Sequence, residues 1–449
     1  MKKWLLILSV AAFVSNSSKA QAPRIAFEKY SLPNGLKVIL HKDRTAPVVA
    51  VTVLYHVGSK NEDTARTGFA HFFEHLLFEG TDNIKRGEYM KYVTNAGGAL
   101  NANTSQDRTF YYELLPSNQL KLGLWLESER MMHAKIEDIG VNTQREVVKE
   151  EKRQRVDNQP YGSILTEVLK RGAKGTPYEW APIGSMDHLN RAKLQEFIDF
   201  YKTYYVPNNA VLSIAGDIDI EQTKQLIKDY FAPIAKGTKA IVRPVIDNKM
   251  LGGEIRDIVK DNIQLPAVIE AYRAPKQGSD EYYAFKMLST LLSGGPSSRM
   301  NKTLVDQKQI ALAALAVPFF NEDAGMFINY AIGSMGVKPE DLEKAVDSVI
   351  NGVKEGDISE KEYQKVSNQV EAAFVSSNAT MAGIAESLAN YEVYFGDANL
   401  INTELEKYKK VTKEDILNVA KKYLNKDNRV VLYYVPKGGA AASGDTGMN

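Results

Sequence analysis

The sequence predicts a mixed α and β protein made of two similar domains. Its 449 residues are two to three times the length of a typical domain, so more than one hydrophobic core is expected. Apolar residues make up 44% of the chain and charged residues 25%, the balance of a globular protein and not of a disordered one. In addition, a helix followed by a strand recurs at the end of each half.

The repeat becomes visible when the sequence is shifted by 219 residues without gaps. The shift pairs Phe197 with Ile416, Phe200 with Val419, Tyr204 with Tyr423, Asn209 with Asn428, and Val211-Leu212 with Val430-Val431. A period of this length indicates duplication of a whole domain and not a solenoid. We therefore expect domains at 26–235 and 254–436, joined by a linker at 236–253 that is rich in Lys, Pro and Gly.

Within the first domain, apolar periodicity predicts the individual elements. The predicted strands are 36–41, 48–56, 99–103, 109–115 and 210–215. The predicted helices are 68–78, 120–132, 139–156 and 193–205. The second domain is expected to begin in the same way, with a strand and then a helix within 265–292.

The two ends of the chain are predicted to lie outside the fold. Lys2 and Lys3 precede an apolar run at 4–14, and Ser18-Lys19-Ala20 has the form of a cleavage site. The run is too short to span a bilayer, so we expect residues 1–20 to be a signal peptide. The mature protein is then expected in the periplasm, without stable membrane insertion. The Gly/Ala/Ser-rich tail at 437–449 is predicted to be disordered.

Composition excludes several classes of function. The net charge is +1, so the chain lacks the basic character typical of nucleic-acid-binding proteins. The chain contains no Cys, which excludes disulfides, thiol nucleophiles and Cys-ligated zinc. Any metal must therefore be held by His, Asp or Glu.

One short segment contains the candidate metal-binding residues. His71, Glu74 and His75 form an H-x-x-E-H motif in a chain that has only six histidines. Positions i and i+4 of a helix share a face, and position i+3 lies beside them. Two imidazoles can therefore bind one metal ion while the carboxylate faces the water it holds. This is the reversed form of the H-E-x-x-H zinc-binding helix.

A third ligand is expected, because catalytic zinc usually takes three protein ligands. On the helix at 139–156, Gln144, Val147, Val148 and Glu151 form one stripe at about 100° per residue. The two valines predict that this stripe is buried. Glu151 is therefore our candidate ligand, whereas Glu150 points about 100° away. A surface ion pair is the alternative role for Glu151.

At this point the chain resembles peptidase family M16, the pitrilysin family of inverzincins that also includes insulin-degrading enzyme and the mitochondrial processing peptidase. The family signature is H-x-x-E-H followed after about 75 residues by a Glu, and here 75 residues separate His75 from Glu151. Further matching stretches are Asn101-Ala102-Asn103-Thr104, Asp107-Arg108-Thr109, Thr176-Pro177-Tyr178, Pro182-Ile183-Gly184, 204–210 and Ala215-Gly216-Asp217.

The resemblance implies an α+β fold of two homologous domains, each a mostly antiparallel sheet with packed helices, of the metallohydrolase-like α/β-roll type. Two such chains are expected to close as a clam-shell dimer. The implied activity is hydrolysis of unfolded peptides, with one Zn²⁺ per chain on His71, His75 and Glu151, and with Glu74 as general base. Substrate is expected to add as a strand to a sheet edge. The residues expected to pair with it are Ala99, Leu100, Asn101, Ala102 and Asn103.

Two departures from the family pattern affect the functional prediction. Family members often have a Glu seven residues before the ligand Glu, where this chain has Gln144, an amide that orients neighbours but carries no charge. Active members also use an Arg and a Tyr, seven residues apart, to hold the substrate carbonyl. Alignment on Leu304 places Val305 and Leu312 at those positions, and neither side chain donates a hydrogen bond.

The sequence therefore predicts that this chain supplies the zinc half of a heterodimeric site. A homologous partner would lack H-x-x-E-H and carry the Arg/Tyr pair. One alternative is a self-sufficient homodimeric peptidase with another oxyanion donor. Another is a non-catalytic scaffold or peptide-binding subunit that retains a metal site, although Glu74 would then have no role.

Overall fold

A computed structural model describes residues 24–356 and 358–437 of the chain. The predicted signal peptide, and the predicted tail apart from Lys437, lie outside these residues. Within them, no helix is both long enough and apolar enough to cross a bilayer.

Eleven strands form two open sheets in the described part of the chain. The strands are β1 Glu28–Ser31, β2 Lys37–Lys42, β3 Val48–Tyr55, β4 Ala99–Thr104, β5 Thr109–Pro116, β6 Ala210–Gly216, β7 Ile255–Asp261, β8 Ala267–Ala274, β9 Ala311–Phe320, β10 Gly325–Gly333 and β11 Arg429–Pro436. The first sheet has the order β1-β2-β6-β3-β5-β4, and the second has the order β7-β11-β8-β10-β9. Only the pairs β2/β6 and β7/β11 are parallel. The expectation of two α+β domains with mostly antiparallel sheets is confirmed.

Fourteen α-helices pack on these sheets in the described residues. They are α1 Phe69–Leu76, α2 Tyr89–Asn95, α3 Leu120–His133, α4 Asp138–Lys152, α5 Ile164–Gly172, α6 Met186–Arg191, α7 Leu194–Tyr204, α8 Ile220–Phe231, α9 Asp280–Ser293, α10 Pro339–Lys354, α11 Glu360–Ser377, α12 Met381–Phe395, α13 Leu400–Lys410 and α14 Lys413–Tyr423. Helix α4 continues into a π-helical turn, Arg153–Asp157.

The internal repeat is present in the structure down to single hydrogen bonds. Helix α7 and strand β6 in the first half correspond to α14 and β11 in the second, at the spacing found in the sequence. The Asn209 side chain donates to the carbonyl of Tyr204 over 2.8 Å. At the equivalent place, the Asn428 side chain donates to the carbonyl of Tyr423 over 2.9 Å. In both halves an amide therefore fixes the end of the helix beside the start of the strand.

The outer face of each sheet is covered by a helix from the opposite half. In the first sheet, buried residues of β2, β3, β5 and β6 pack against α12, whose Ile384, Ala385, Leu388 and Ala389 are buried there. In the second sheet, residues of β8, β10 and β11 pack against Val168 and Leu169 of α5. Each predicted domain thus contributes one helix to the core of the other, an arrangement that the sequence did not indicate.

A buried lysine joins the two halves at a second place. Lys60 is 2% exposed and follows the end of β3 in the first half. Its Nζ lies 2.9 Å from Asp107 Oδ1, and it also contacts Glu322 and Asp323 in the β9–β10 connection of the second half. A buried charge is tolerated only when it is paired in this way, so the contact constrains how the halves meet.

We expect the α12 contact to stabilise the whole chain. Replacing Leu388, which is fully buried against the first sheet, with Ala should lower the free energy of unfolding by about 2–5 kcal/mol through lost burial and a cavity. Urea unfolding measures the change. The matched control is Val375→Ala on α11, where the side chain is 48% exposed and the expected change is within about 0.5 kcal/mol. Equal unfolding midpoints for the two variants would contradict the role assigned to α12.

Candidate metal centre and active site

Helix α1 carries the H-x-x-E-H motif and is held at its N-terminus by the buried carboxyl group of Glu62. Glu62 accepts hydrogen bonds from the backbone N–H groups of Gly68 and Ala70, each at 2.8 Å. Trp180 Nε1 also donates to Glu62, over 2.9 Å. Burial raises the pKa of Glu62 to about 8, against the opposing effect of these donors. Glu62 therefore provides acceptors for N–H groups at the start of α1, which have no partner within the helix.

Close backbone packing fixes the same end of α1. Gly68 precedes the helix with φ of 98°, a left-handed conformation that favours glycine. Gly184 has φ of 61°, and a Cβ there would lie 2.3 Å from the Gly68 nitrogen. The segment containing Gly184 is one of those that match the family pattern, and its contact with α1 gives a physical reason for the match.

The three predicted ligand side chains meet at one point. His71 and His75 come from α1, and Glu151 comes from the last turn of α4. Glu151 Oε2 lies 3.5 Å from His71 Nε2 and 3.1 Å from His75 Nε2. Zinc with bonds of about 2.0–2.1 Å in tetrahedral geometry separates neighbouring ligand atoms by about 3.3–3.4 Å. The observed spacing fits such an ion.

The electrostatics of the three groups also suit a metal ion. Burial, together with the neighbouring His75, lowers the pKa of His71 to about 4, so its imidazole is neutral and offers a lone pair at neutral pH. The approach of His75 lowers the pKa of Glu151, which keeps that carboxyl ionised. Glu151 Oε2 is buried and makes no well-aligned hydrogen bond to a described residue. A buried acceptor of this kind calls for a cation.

Helix α4 turns Glu151 inward, although only part of the predicted stripe is buried. Val148 is fully buried, but Val147 is 43% exposed, so the prediction that both valines are buried was wrong for Val147. The side chain of Glu151 is 15% exposed. Glu150 is 51% exposed and pairs with Arg153 instead. The predicted distinction between the two neighbouring glutamates therefore agrees with the structure.

Glu74 lies beside the ligands and is tied to the neighbouring strand. Thr104 Oγ1, at the end of β4, donates to Glu74 Oε2 over 2.7 Å. Burial raises the pKa of Glu74, while the Thr104 hydrogen bond opposes the rise. Thr104 lies in a stretch that matches the family pattern, but its hydrogen bond to Glu74 was not predicted from the sequence.

Strand β4 is an edge strand of the first sheet, as predicted. It pairs with β5 alone, which leaves its other edge open. Ala99, Asn101 and Asn103 have exposed side chains, Leu100 is half-buried, and Ala102 is buried in the core. The strand ends next to α1, so an extended chain that paired with β4 would run beside Glu74.

Gln144 contacts a carboxylate that the sequence analysis did not consider. Its Nε2 donates to Glu79 Oε1, and the other oxygen of Glu79 accepts from Arg86. Glu79 follows α1, and its side chain is only 10% exposed. A carboxyl group therefore lies next to Gln144, in hydrogen-bond contact with its amide.

The two second-half positions predicted to lack donors are far from equivalent in their surroundings. Val305 is partly buried and packs against the second core. Leu312 lies on β9 and is 62% exposed. Both are apolar, so neither provides the hydrogen bond that the Arg/Tyr pair supplies in the family.

A second group of carboxylates in the described residues is already neutralised. Glu270, Glu343 and Asp347 approach one another closely enough to hold a cation. The guanidinium of Arg429 occupies the middle of the group, 2.9 Å from Glu343 and 2.8 Å from Asp347. Burial also raises the pKa of Glu270 to about 8, which favours its neutral form. This cluster is therefore explained by an internal ion pair.

Comparison with known proteins supports the resemblance to peptidase family M16. Residues 37–181 match the family model described as insulinase, peptidase family M16, and residues 191–370 match the one described as the peptidase M16 inactive domain. The zinc protease PqqE of Helicobacter pylori is 31% identical over 439 residues, covering 97% of this chain and 99% of that protein. The chain belongs to peptidase family M16.

Solved structures share the fold. The crystal structure of a protease from Helicobacter pylori superimposes with a TM-score of 0.88 at 31% identity, covering 92% of this chain and all of that one. The periplasmic protease PqqL from Escherichia coli gives a TM-score of 0.75 at 19% identity, covering 93% of this chain and 48% of that one. This likeness to PqqL concerns the fold alone.

We expect metal binding to depend on Glu151 and not on its neighbour. Glu151→Gln removes the ionised oxygen that converges with the imidazoles, so zinc affinity should fall at least about 100-fold. Isothermal titration calorimetry of the metal-free protein measures the affinity. Glu150→Gln is the matched control, because this exposed carboxylate one position earlier faces away from the imidazoles. Equal zinc affinity in the two variants would exclude Glu151 as a ligand.

Proposed function

We propose that this protein is a zinc-dependent endopeptidase that hydrolyses unfolded peptides. The observation that carries the proposal is the convergence of His71, His75 and Glu151 at tetrahedral spacing beside the carboxylate of Glu74. Relatives named as zinc proteases favour zinc as the ion. One ion per chain is proposed, because the second carboxylate cluster is filled by Arg429.

The roles of the residues follow from their chemistry. His71, His75 and Glu151 would hold the zinc, which when bound would polarise the scissile carbonyl and lower the pKa of a water molecule. Glu74 accepts the proton of that water and later passes it to the leaving amine. Burial raises the pKa of Glu74 and so brings the carboxylate closer to the range in which a general base works well.

Substrate binding is assigned to the open edge of β4. A peptide added there makes main-chain hydrogen bonds, which give affinity with little demand on sequence. Ala99, Leu100, Asn101, Ala102 and Asn103 form the pairing segment. An extended segment is required, because only a chain with unpaired backbone N–H and C=O groups can add to the edge as a strand.

The proposed enzyme works as the zinc half of a heterodimer. Val305 and Leu312 stand where the family carries its carbonyl-binding Arg and Tyr, so a homologous partner is proposed to supply that pair. This chain matches about half the length of the periplasmic protease PqqL. It also matches a structure of the first half of PqqL, over 93% of each chain, so in length it corresponds to one half of that protease. Export to the periplasm by a signal peptide at 1–20 is part of the same proposal.

Hydrolysis of a quenched fluorescent peptide mixture tests the proposal. The mature chain is assayed alone and together with a co-encoded homologue that carries the Arg/Tyr pair. Cleavage is expected only with the partner, and Glu74→Gln should lower it about 10²–10⁴-fold because the general base is lost.

Two other results would change the assignment. Full activity of the chain alone would favour the homodimeric peptidase. Zinc binding without hydrolysis, in the presence of the partner, would favour the scaffold or peptide-binding subunit.

We expect Thr104 to contribute to turnover through its hydrogen bond to Glu74. Thr104→Val keeps the size of the side chain and removes the donor, which should lower kcat about 10–100-fold, the equivalent of one hydrogen bond to a charged group. Steady-state kinetics with the reconstituted enzyme measures kcat and KM separately. Thr104→Ser retains the hydroxyl and should keep most of the activity. If the Val and Ser variants turn over alike, the Thr104 hydrogen bond has no role in catalysis.

A further inference from the structure

Arg155 contacts the oxygen of the Glu151 carboxylate that does not face the histidines. It lies in the π-helical turn that follows α4, one helical turn beyond Glu151. Its Nη1 is 2.7 Å from Glu151 Oε1. The other oxygen of the same carboxylate, Oε2, is the one that converges with His71 and His75. One oxygen of Glu151 therefore faces the two histidines, and the other contacts Arg155.

We propose that Arg155 is a positioning residue that holds Glu151 Oε1 and thereby presents Oε2 to the metal. The inference rests on the metal-ligand role proposed for Glu151. A glutamate side chain has three rotatable bonds, so a free carboxylate can turn away or offer both oxygens. Anchoring one oxygen removes that freedom and favours coordination through the other oxygen alone. Partners that orient a ligand in this way typically change metal affinity by about 10–100-fold.

An ordinary surface ion pair is the competing explanation. Arg155 is 77% exposed, and exposed pairs at this helical spacing contribute little to stability. The neighbouring Arg153 illustrates such a pair, because its partner Glu150 is itself 51% exposed and faces no other ligand. Glu151 differs in being 15% exposed and packed against two imidazoles. Arg155 therefore fixes the orientation of a confined carboxylate.

The charge of Arg155 acts against its orienting effect. A guanidinium near a divalent cation repels it, which by itself would weaken metal binding. Solvent surrounds most of the Arg155 side chain, so this repulsion is screened by water and salt. The geometric effect on Glu151 is not screened, and for this reason the orienting effect is expected to dominate.

The test measures zinc affinity and does not depend on peptidase activity. Metal-free protein is titrated with zinc in competition with a chromophoric chelator. Arg155→Met keeps an unbranched stem and removes the guanidinium, and it should weaken zinc binding about 10-fold or more. Arg155→Lys should restore part of the affinity, because an ammonium group can make one hydrogen bond to Oε1 but lacks the planar fork. The matched control Arg153→Met should leave the affinity unchanged.

Two further measurements make the result decisive. Thermal unfolding of the metal-free variants should be the same for Arg155→Met and Arg153→Met, since both side chains are largely exposed. Repeating the titration in a Glu74→Gln background, which cannot use the proposed general base, separates metal binding from hydrolysis. Weaker zinc binding in that background supports the inference even if the chain never cleaves peptide.

Either of two outcomes would overturn the inference. Unchanged zinc affinity in Arg155→Met would show that the pair is an ordinary surface contact. Tighter zinc binding in the same variant would show that repulsion outweighs orientation. Failure of the proposed peptidase function has a different signature, namely zinc binding that depends on Arg155 without hydrolysis in the presence of the partner.

Discussion

A sheet with two apolar faces is stable only when both are covered, and here neither half of the chain covers both of its own. The outer face of the first sheet is buried by α12, and that of the second sheet by α5. Burial of apolar area is the main favourable term in folding, so the exchange couples the stability of the halves. The buried Lys60, with carboxylates from both halves around it, adds a directional constraint to this apolar one.

The candidate site benefits from this rigidity because its parts come from separate elements. Two of the proposed ligands lie on α1, the third lies on α4, and the proposed base is tied to β4 through Thr104. Helix α1 is short, and a helix of eight residues is marginal by itself. Packing on the first sheet and the carboxylate of Glu62 at its N-terminus hold it in place. The precise spacing of the ligands is thus a property of the whole first half and not of the motif.

Local patterns predicted local features well. Five strands and four helices of the first half, and the inward direction of Glu151, follow from periodicities among neighbouring residues, whereas the repeat follows from comparing residues 219 apart. Strand β1 and helices α2, α5, α6 and α8 were not predicted. Glu62, Glu79, Thr104 and Arg155 were assigned no role, because their contacts depend on how separate elements pack. The exchange of α5 and α12 was missed for the same reason, since an apolar stripe does not specify which surface covers it. The burial of Val147 was predicted wrongly, because Val148 alone is enough to pack this face of α4 while its neighbour remains exposed.

At Gln144, the departure from the family pattern brings an amide into contact with a neighbouring carboxyl group. Replacing a carboxylate by an amide removes a negative charge from the surroundings of the metal ligands, which by itself weakens the attraction for a cation. Here the amide donates to Glu79, whose side chain is 10% exposed and whose other oxygen is held by Arg86. Gln144 is therefore a neutral side chain that orients Glu79 and contributes no charge of its own.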